Sequence, residues 1–137
     1  YDGLVEQIGG KATPAVGFAM GMERLMALLM DKQLVPAHAS PDIYLVMVGE
    51  NVQRPGMILA EKIRDELIGV NVQMNCGGGS FKSQFKKADK SGADFAIVIG
   101  EEEVNQKMVS VKSLRIAGEQ KMVEWDQLTS YLQSLLK

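Results

Sequence analysis

The 137-residue chain is poor in the residue types that mark special classes of protein. Its single cysteine, Cys76, excludes an internal disulfide and suits a reducing compartment such as the cytoplasm. Its single histidine, His38, has no second ligand near it in sequence, which speaks for a solvated side chain; no metal site is expected. No apolar run reaches the roughly 18 residues that a membrane span requires, and no stretch has the layout of a signal peptide. Charge of one sign is also lacking. A net charge of −2 exerts no global pull on a polyanion, so any nucleic-acid binding must be local. What remains, 46% hydrophobic and 23% charged residues, is ordinary for a globular protein and enough for one domain with its own core. The chain starts Tyr1-Asp2-Gly3 rather than with methionine, as expected of a cut inside a longer protein.

The most informative stretch runs from Asn75 to Gly92. A β-like segment, residues 70–74, leads into Gly77-Gly78-Gly79, where glycine tolerates forbidden backbone angles and lets another chain or ligand approach closely. Ser80 stands where a helix N-cap belongs. In the helix that follows, Phe81, Phe85 and Ala88 recur at helical spacing and are expected to face a core. Lys82, Lys86 and Lys90 recur every four residues about 100° round from them. With Lys87 and against Asp89 alone, these make the helix net +3 on an acidic chain. Such lysines beside a helix N-terminus suit an anion. They also suit a plain solvated face, with the glycines only a tight turn.

Taken in order, residues 1–40 lack the pattern of a self-sufficient domain. Gly9-Gly10 marks a turn, residues 14–19 suit a short buried strand, and residues 20–30 read as a helix with Leu25, Met26, Leu28, Leu29 and Met30 on one broad apolar face. Gly17, Ala19 and Gly21 keep one side of the preceding strand open. Exposed apolar surface is expected from Val16, Phe18, Leu25, Met26 and Leu29, and with it self-association or a swapped arrangement. Residues 32–41, bracketed by Pro36 and Pro41, read as a linker.

From Asp42 the texture alternates strand and helix. Residues 43–48 and 95–99 are uninterrupted apolar runs, as for strands covered on both faces. Between them, Pro55 starts a helix with Leu59, Ile63 and Leu67 as its buried stripe and Gly69 at its end. Val70, Val72 and Met74 alternate with polar residues, as in an edge strand. Two βαβ crossovers predict parallel strands ordered 2-1-3. Val109 and Val111, a turn at Ala117-Gly118 and a return strand over 119–123 form a hairpin, and Trp125, Leu128, Tyr131, Leu132 and Leu135 line a closing helix. The expected fold is α/β: a five-stranded mixed sheet flanked by helices in three layers.

Two resemblances follow from these residues. Gly17-Phe18-Ala19-Met20-Gly21-Met22-Glu23-Arg24 resembles motif 3 of class II aminoacyl-tRNA synthetases, and Tyr1-Asp2-Gly3-Leu4 resembles the end of a histidyl-tRNA synthetase signature; Thr13 to Gly21 strengthens the histidyl resemblance. Residues 42–137, with Asn75 to Phe85 at their centre, are similar to the anticodon-binding domain shared by histidyl-, threonyl-, prolyl- and glycyl-tRNA synthetases. The resemblance implies that residues 1–31 end a class II catalytic domain, with Arg24 contacting ATP phosphates and Tyr1 beside the histidine pocket of a longer, dimeric parent enzyme. That parent would use ATP with Mg²⁺; the fragment, lacking the other motifs, would bind no cofactor and be inactive alone. Its partners would be the anticodon loop of histidine tRNA and the remainder of the catalytic domain. By likeness to threonyl enzymes, Glu103 and Lys112 fall on base-reading positions, although lysine lacks the planar fork of arginine. Splayed anticodon bases offer N–H donors to a carboxylate, while lysines hold phosphates. The expected RNA-binding set is therefore Gly78, Gly79, Lys82, Lys86, Glu103 and Lys112.

Two other readings compete. A nucleotide- or phosphate-binding α/β module would bind over the carboxyl ends of the strands. However, Gly77 to Lys82 fits neither a P-loop nor a dinucleotide fingerprint, and the acids Glu101 to Glu103 lack a partner carboxylate for Mg²⁺. A non-catalytic synthetase relative acting as a regulator is the other; such a relative generally lacks the anticodon-binding domain.

Overall fold

A computed structural model describes residues 1–34, 40–116, 118 and 120–136. His38 and most of the expected linker lie outside the described residues, as do Ala117 of the expected turn and Glu119 of the return strand. The chain divides into two units, Tyr1–His38 and Ala39–Lys137.

In the first unit, a one-turn helix α1 (Leu4–Gln7) ends in a turn at Gly9, whose φ of +90° suits glycine. Helix α2 (Met22–Asp31) starts two residues later than its apolar pattern suggests, with Gly21 at its N-cap. The strand expected over residues 14–19 does not form. Those residues have no regular structure, and Val16 and Phe18 are 100% and 88% exposed. A strand needs a neighbouring strand to take its N–H and C=O groups, and none of the described residues of this unit supplies one. None of the residues of α2 is buried, and the expected apolar surface is present on Val16, Phe18, Leu25 and Met26, whereas Leu29 is half-buried.

The second unit begins with β1 (Ile43–Met47), buried along its whole length. Helix α3 (Gln53–Glu66) carries Pro55 in its first turn, where its missing N–H costs nothing, and buries Gly56, Leu59, Ala60 and Ile63. Strand β2 (Val72–Met74) is short and half-buried, as an edge strand should be. Helix α4 (Phe81–Lys90) and the buried strand β3 (Phe95–Ile99) follow. A helix that the hydropathy pattern does not suggest, α5 (Glu101–Gln106), precedes the hairpin β4 (Met108–Ser113) and β5 (Lys121–Glu124). Helix α6 (Leu128–Leu135) closes the unit. Helix α5 is stabilised by charge rather than by an apolar stripe: three glutamates occupy its first turn, against the helix dipole.

The strands are ordered β2-β1-β3-β4-β5, with β1 parallel to β2 and β3, and β4 antiparallel to β3 and β5. The five-stranded mixed sheet and its 2-1-3 beginning are those expected. Its two faces are covered unequally. On one, Ile43, Leu45, Ile97, Ile99, Val109 and Val111 pack against Leu59 and Ile63 of α3 and Leu128 and Leu132 of α6. Each such fully buried side chain contributes roughly 1.5–3 kcal/mol. On the other, Tyr44, Val46, Ala96 and Val98 pack against Ala88 and Phe85 of α4. Lys112 is opposite Ala96, Ser110 opposite Val98, and Met122 opposite Ser110, so these three share the α4 face. A single helix lies over β1 and β3, and it leaves Met122 of β5 45% exposed.

Candidate nucleic-acid interface

The bend between β2 and α4 is held from beneath. Gly77, Gly78 and Gly79 have φ of +83°, +64° and +104°, three left-handed residues in succession that only glycine adopts without strain. No atom lies within 4 Å of where a Cβ would stand on Gly77 or Gly78, so backbone angle and not crowding requires glycine there. Asn75, 1% exposed, donates from Nδ2 to Gly78 O (2.9 Å), and its Oδ1 accepts from the Lys87 ammonium (3.3 Å) and the Tyr44 hydroxyl (3.5 Å). Burial pushes the Tyr44 hydroxyl pKa up from its usual value, with a smaller push from the Cys76 thiolate.

Gln84 is the second anchor. Fully buried, its Oε1 accepts from Met47 N (2.8 Å), and its Nε2 donates to Met47 O (2.6 Å) and Gly79 O (3.0 Å). It thereby ties the end of β1 to the bend. Ser80 caps α4 as expected, accepting from Ser83 N (3.3 Å).

These anchors fix how α4 is rotated. The buried residues are Gln84 and Ala88, with Phe85 half-buried; Phe81, at the very start of the helix, is 48% exposed rather than buried as its spacing suggests. The buried face takes in Gln84 because a glutamine with all its polar atoms paired is as well buried as an apolar residue. At about 100° per residue, the order around the helix is Lys87, Gln84, Ala88, Phe81, Phe85, Asp89, Lys82, Lys86, Lys90, Ser83. Lys87 reaches Asn75 on the β2 side, and Phe85 lies under the Lys112 ammonium of β4, 5.4 Å from its ring centroid. Lys82 therefore lies toward the β4 flank, whereas Lys86 and Lys90 point away from the sheet; all three are exposed. Lys82 and Lys112 thus border one groove between α4 and the β4–β5 face. Arg115 closes its far end, donating to the backbone oxygens of Ala93 (2.8 Å) and Asp89 (3.0 Å).

Glu103 is elsewhere. Half-buried in α5, it accepts from Gly100 N through Oε2 (3.1 Å), capping its own helix. Lys112 is opposite Ala96 near the start of β3, whereas Gly100 follows its last residue. At ~3.3 Å per residue the two levels are about 13 Å apart, so Glu103 and Lys112 do not converge on one group. Gly78 and Gly79 lie in the bend, and Arg24 and Tyr1 are exposed in the first unit. The sequence pattern gives no sign of Asn75, Gln84 and Lys87 as the bend's supports, beyond their closeness to the glycines.

At the carboxyl ends of β1 and β3, where a nucleotide-binding module would hold its ligand, Glu50, Asn51, Val52, Glu101, Val104 and Asn105 line a hollow of about 250 Å³. Glu101 Oε1 accepts from Glu50 N (2.7 Å), placing two acids where phosphates would need donors. Among the described residues no three His, Cys, Asp or Glu side chains gather as a metal site would require.

Residues 42–135 match the anticodon binding domain family. Over 136 residues the chain is 64% identical to a histidine–tRNA ligase of Hydrogenovibrio crunogenus, covering 99% of this chain and 32% of that protein. It therefore spans about a third of the length of that curated relative. The structure is similar to apo histidyl-tRNA synthetase of S. aureus (TM-score 0.60, 30% identity, 96% of this chain and 38% of that one). It shares its fold with histidyl-tRNA synthetase of Nostoc sp. PCC 7120 (TM-score 0.66, 24% identity, 86% and 28%). It also shares it with the RNA binding domain of threonyl-tRNA synthetase of Cryptosporidium parvum Iowa II (TM-score 0.63, 16% identity, 82% and 28%).

Proposed function

The chain belongs to the anticodon-binding domain family, and from that premise we propose that it is the part of a histidine–tRNA ligase that grips the anticodon loop of histidine tRNA. The observation that carries the proposal is the cluster of exposed lysines on α4, Lys82 and Lys86, with Lys112 of β4 beside an exposed glycine bend, on a chain that is otherwise acidic. Local positive charge along an open sheet face suits a single RNA strand, whose phosphates the ammonium groups hold while its bases stay free to be read. The acidic hollow over β1 and β3 favours this reading over a nucleotide-binding module.

Within this reading, the backbone of Gly78 and Gly79 lets the strand pass close to the bend, and the lysines supply salt-sensitive affinity. Glu103 contributes base choice. Its Oε2 is engaged by Gly100, and its second oxygen accepts a base N–H at the carboxyl end of β3. Because it stands about 13 Å along the strand from Lys112, the two serve different nucleotides.

The activity of the whole enzyme, joining histidine to its tRNA with ATP and Mg²⁺ in the cytoplasm as a homodimer, is part of the same proposal. Arg24, exposed in the first turn of α2 and engaged by no salt bridge among the described residues, suits a contact to ATP phosphates. Tyr1 is assigned to the histidine pocket of the assembled catalytic domain.

The test is fluorescence anisotropy with the anticodon stem-loop of histidine tRNA, the same stem-loop with a swapped anticodon, and labelled ATP. The expected order is cognate loop over swapped loop, with no binding of ATP. Glu103→Gln, which keeps a capping oxygen, should narrow the gap between the two loops. Equal affinity for both loops, or binding of ATP alone, would overturn the proposal.

A further inference from the structure

We infer that the Phe81 ring is a stacking platform for one unpaired base of the bound RNA, an assignment that rests on the anticodon-binding reading above. Phe81 opens α4 directly after the glycine bend, and it is 48% exposed where its spacing would have buried it. A lone exposed phenylalanine needs no explanation. This one is set by its surroundings. Its ring is braced by Phe85, with centroids 4.6 Å apart and planes tilted by 42°. Phe85 in turn is half-buried in the core beneath α4 and carries the Lys112 ammonium over its ring, 5.4 Å from the centroid. The outer ring is thus held on a fixed support with little rotamer freedom to lose on binding.

The approach to the ring is open and positively charged. The space where Cβ atoms of Gly77 and Gly78 would stand is empty, and Lys82 is next in sequence on the groove flank. A flat π-face beside ammonium groups, with no side chain on the neighbouring bend, has the chemistry of a single-strand site. The base stacks on carbon, its phosphate is neutralised by lysine, and its Watson–Crick edge stays free. A duplex cannot use it, because its bases are already stacked. The platform therefore selects unpaired RNA over paired RNA without choosing among bases, leaving sequence choice to polar groups elsewhere on the strand.

The experiment uses the whole chain and an anticodon stem-loop of histidine tRNA carrying 2-aminopurine at successive loop positions, with a blunt RNA duplex as control. Wild-type protein should change 2-aminopurine emission at one loop position. Phe81→Leu, which keeps an apolar side chain of similar bulk, should abolish that change and weaken loop binding roughly fivefold or more. Phe81→Tyr should restore both. The dependence of affinity on salt should stay as in wild type, since no charge is lost. Binding of the duplex should not respond to either substitution. If wild-type protein fails to bind the loop at all, the anticodon-binding reading falls. If it binds and Phe81→Leu leaves affinity and emission unchanged, that reading stands and the platform is refuted. Unaltered circular dichroism and thermal midpoint in the Leu variant exclude misfolding as the cause of a loss.

Discussion

Replacing Gln84 by leucine should unfold the second unit far more readily than any surface change, although leucine is the better core residue by hydropathy. Gln84 is fully buried and makes three hydrogen bonds, two of them to the N–H and C=O of Met47, itself 1% exposed. Leucine fills similar space but leaves both Met47 groups without partners, at about 1–3 kcal/mol each. The Gly79 carbonyl lies in the exposed bend and turns to water at little cost. The expected loss is therefore about 3 kcal/mol. For a unit of about 100 residues this lowers Tm by roughly 12–24 °C. Trp125 is the chain's one tryptophan and donates from Nε1 to Met108 O (2.8 Å), so its fluorescence in urea reports this unit alone. Gln84→Glu adds a pH signature. Glutamate in this site is favoured neutral, so its folded pKa is raised above the ordinary value of about 4.3. The variant should come nearest to wild type below that pH and lose stability as pH rises towards the folded pKa. A loss under about 1 kcal/mol for Gln84→Leu, with an unchanged urea slope, would refute the claim that these bonds hold α4 to the sheet.

Other outcomes follow from the same geometry. Lys82→Ala and Lys86→Ala should each lower the slope of log K against log salt for stem-loop binding by about 0.7, without narrowing the preference for the cognate anticodon; an unchanged slope removes that lysine from the phosphate path. Ser80→Ala removes the N-cap of α4, a bond of 3.3 Å, and should cost about 0.5–1 kcal/mol in the urea titration, whereas Ser83→Ala should cost less because only its backbone N–H takes part. Burial raises the Tyr44 pKa above its usual value, so Tyr44 contributes no pH dependence below about 10, and its share of stability is lost as pH rises further. Tyr44→Phe should flatten that alkaline fall in a pH series of melts; an equally steep fall in the variant would assign it to other groups.

Much of the frame is legible without coordinates. The runs Ile43–Met47 and Phe95–Ile99 have no polar interruption, a pattern that only a strand covered on both faces sustains, and both are buried in the middle of the sheet. Leu59, Ile63 and Leu67 with Pro55 and Gly69 define α3, because helical period, first-turn proline and terminal glycine agree. The three glycines announce a bend of left-handed residues, since no other side chain tolerates three in a row. Helix α5 was hidden, because its signal is acidic residues on a helix dipole and a capping contact from Glu103 rather than an apolar stripe. The strand expected at residues 14–19 shows the converse: local pattern was sufficient to suggest it and insufficient to form it without a neighbour to pair with.

The sequence by itself determined the strands of the second unit's sheet, the bend, the lysine-rich helix and the family, because each is written in local periodicity, backbone permissiveness or residue identity. Only the tertiary structure decided which way α4 is turned. Its orientation depends on Gln84 finding Met47, 37 residues earlier in the chain, and hydropathy counts that glutamine as polar whether or not its bonds are met. That contact builds the buried face around Gln84, while Phe81, on the same side as Ala88 and Phe85, is left half-exposed because it opens the helix one turn before Gln84. Likewise, Glu103 and Lys112 are nine positions apart in the chain, close enough to suggest one site. The reversal of direction between β3 and β4 carries them to opposite ends of the sheet, because an antiparallel strand undoes along its length the distance its predecessor has covered.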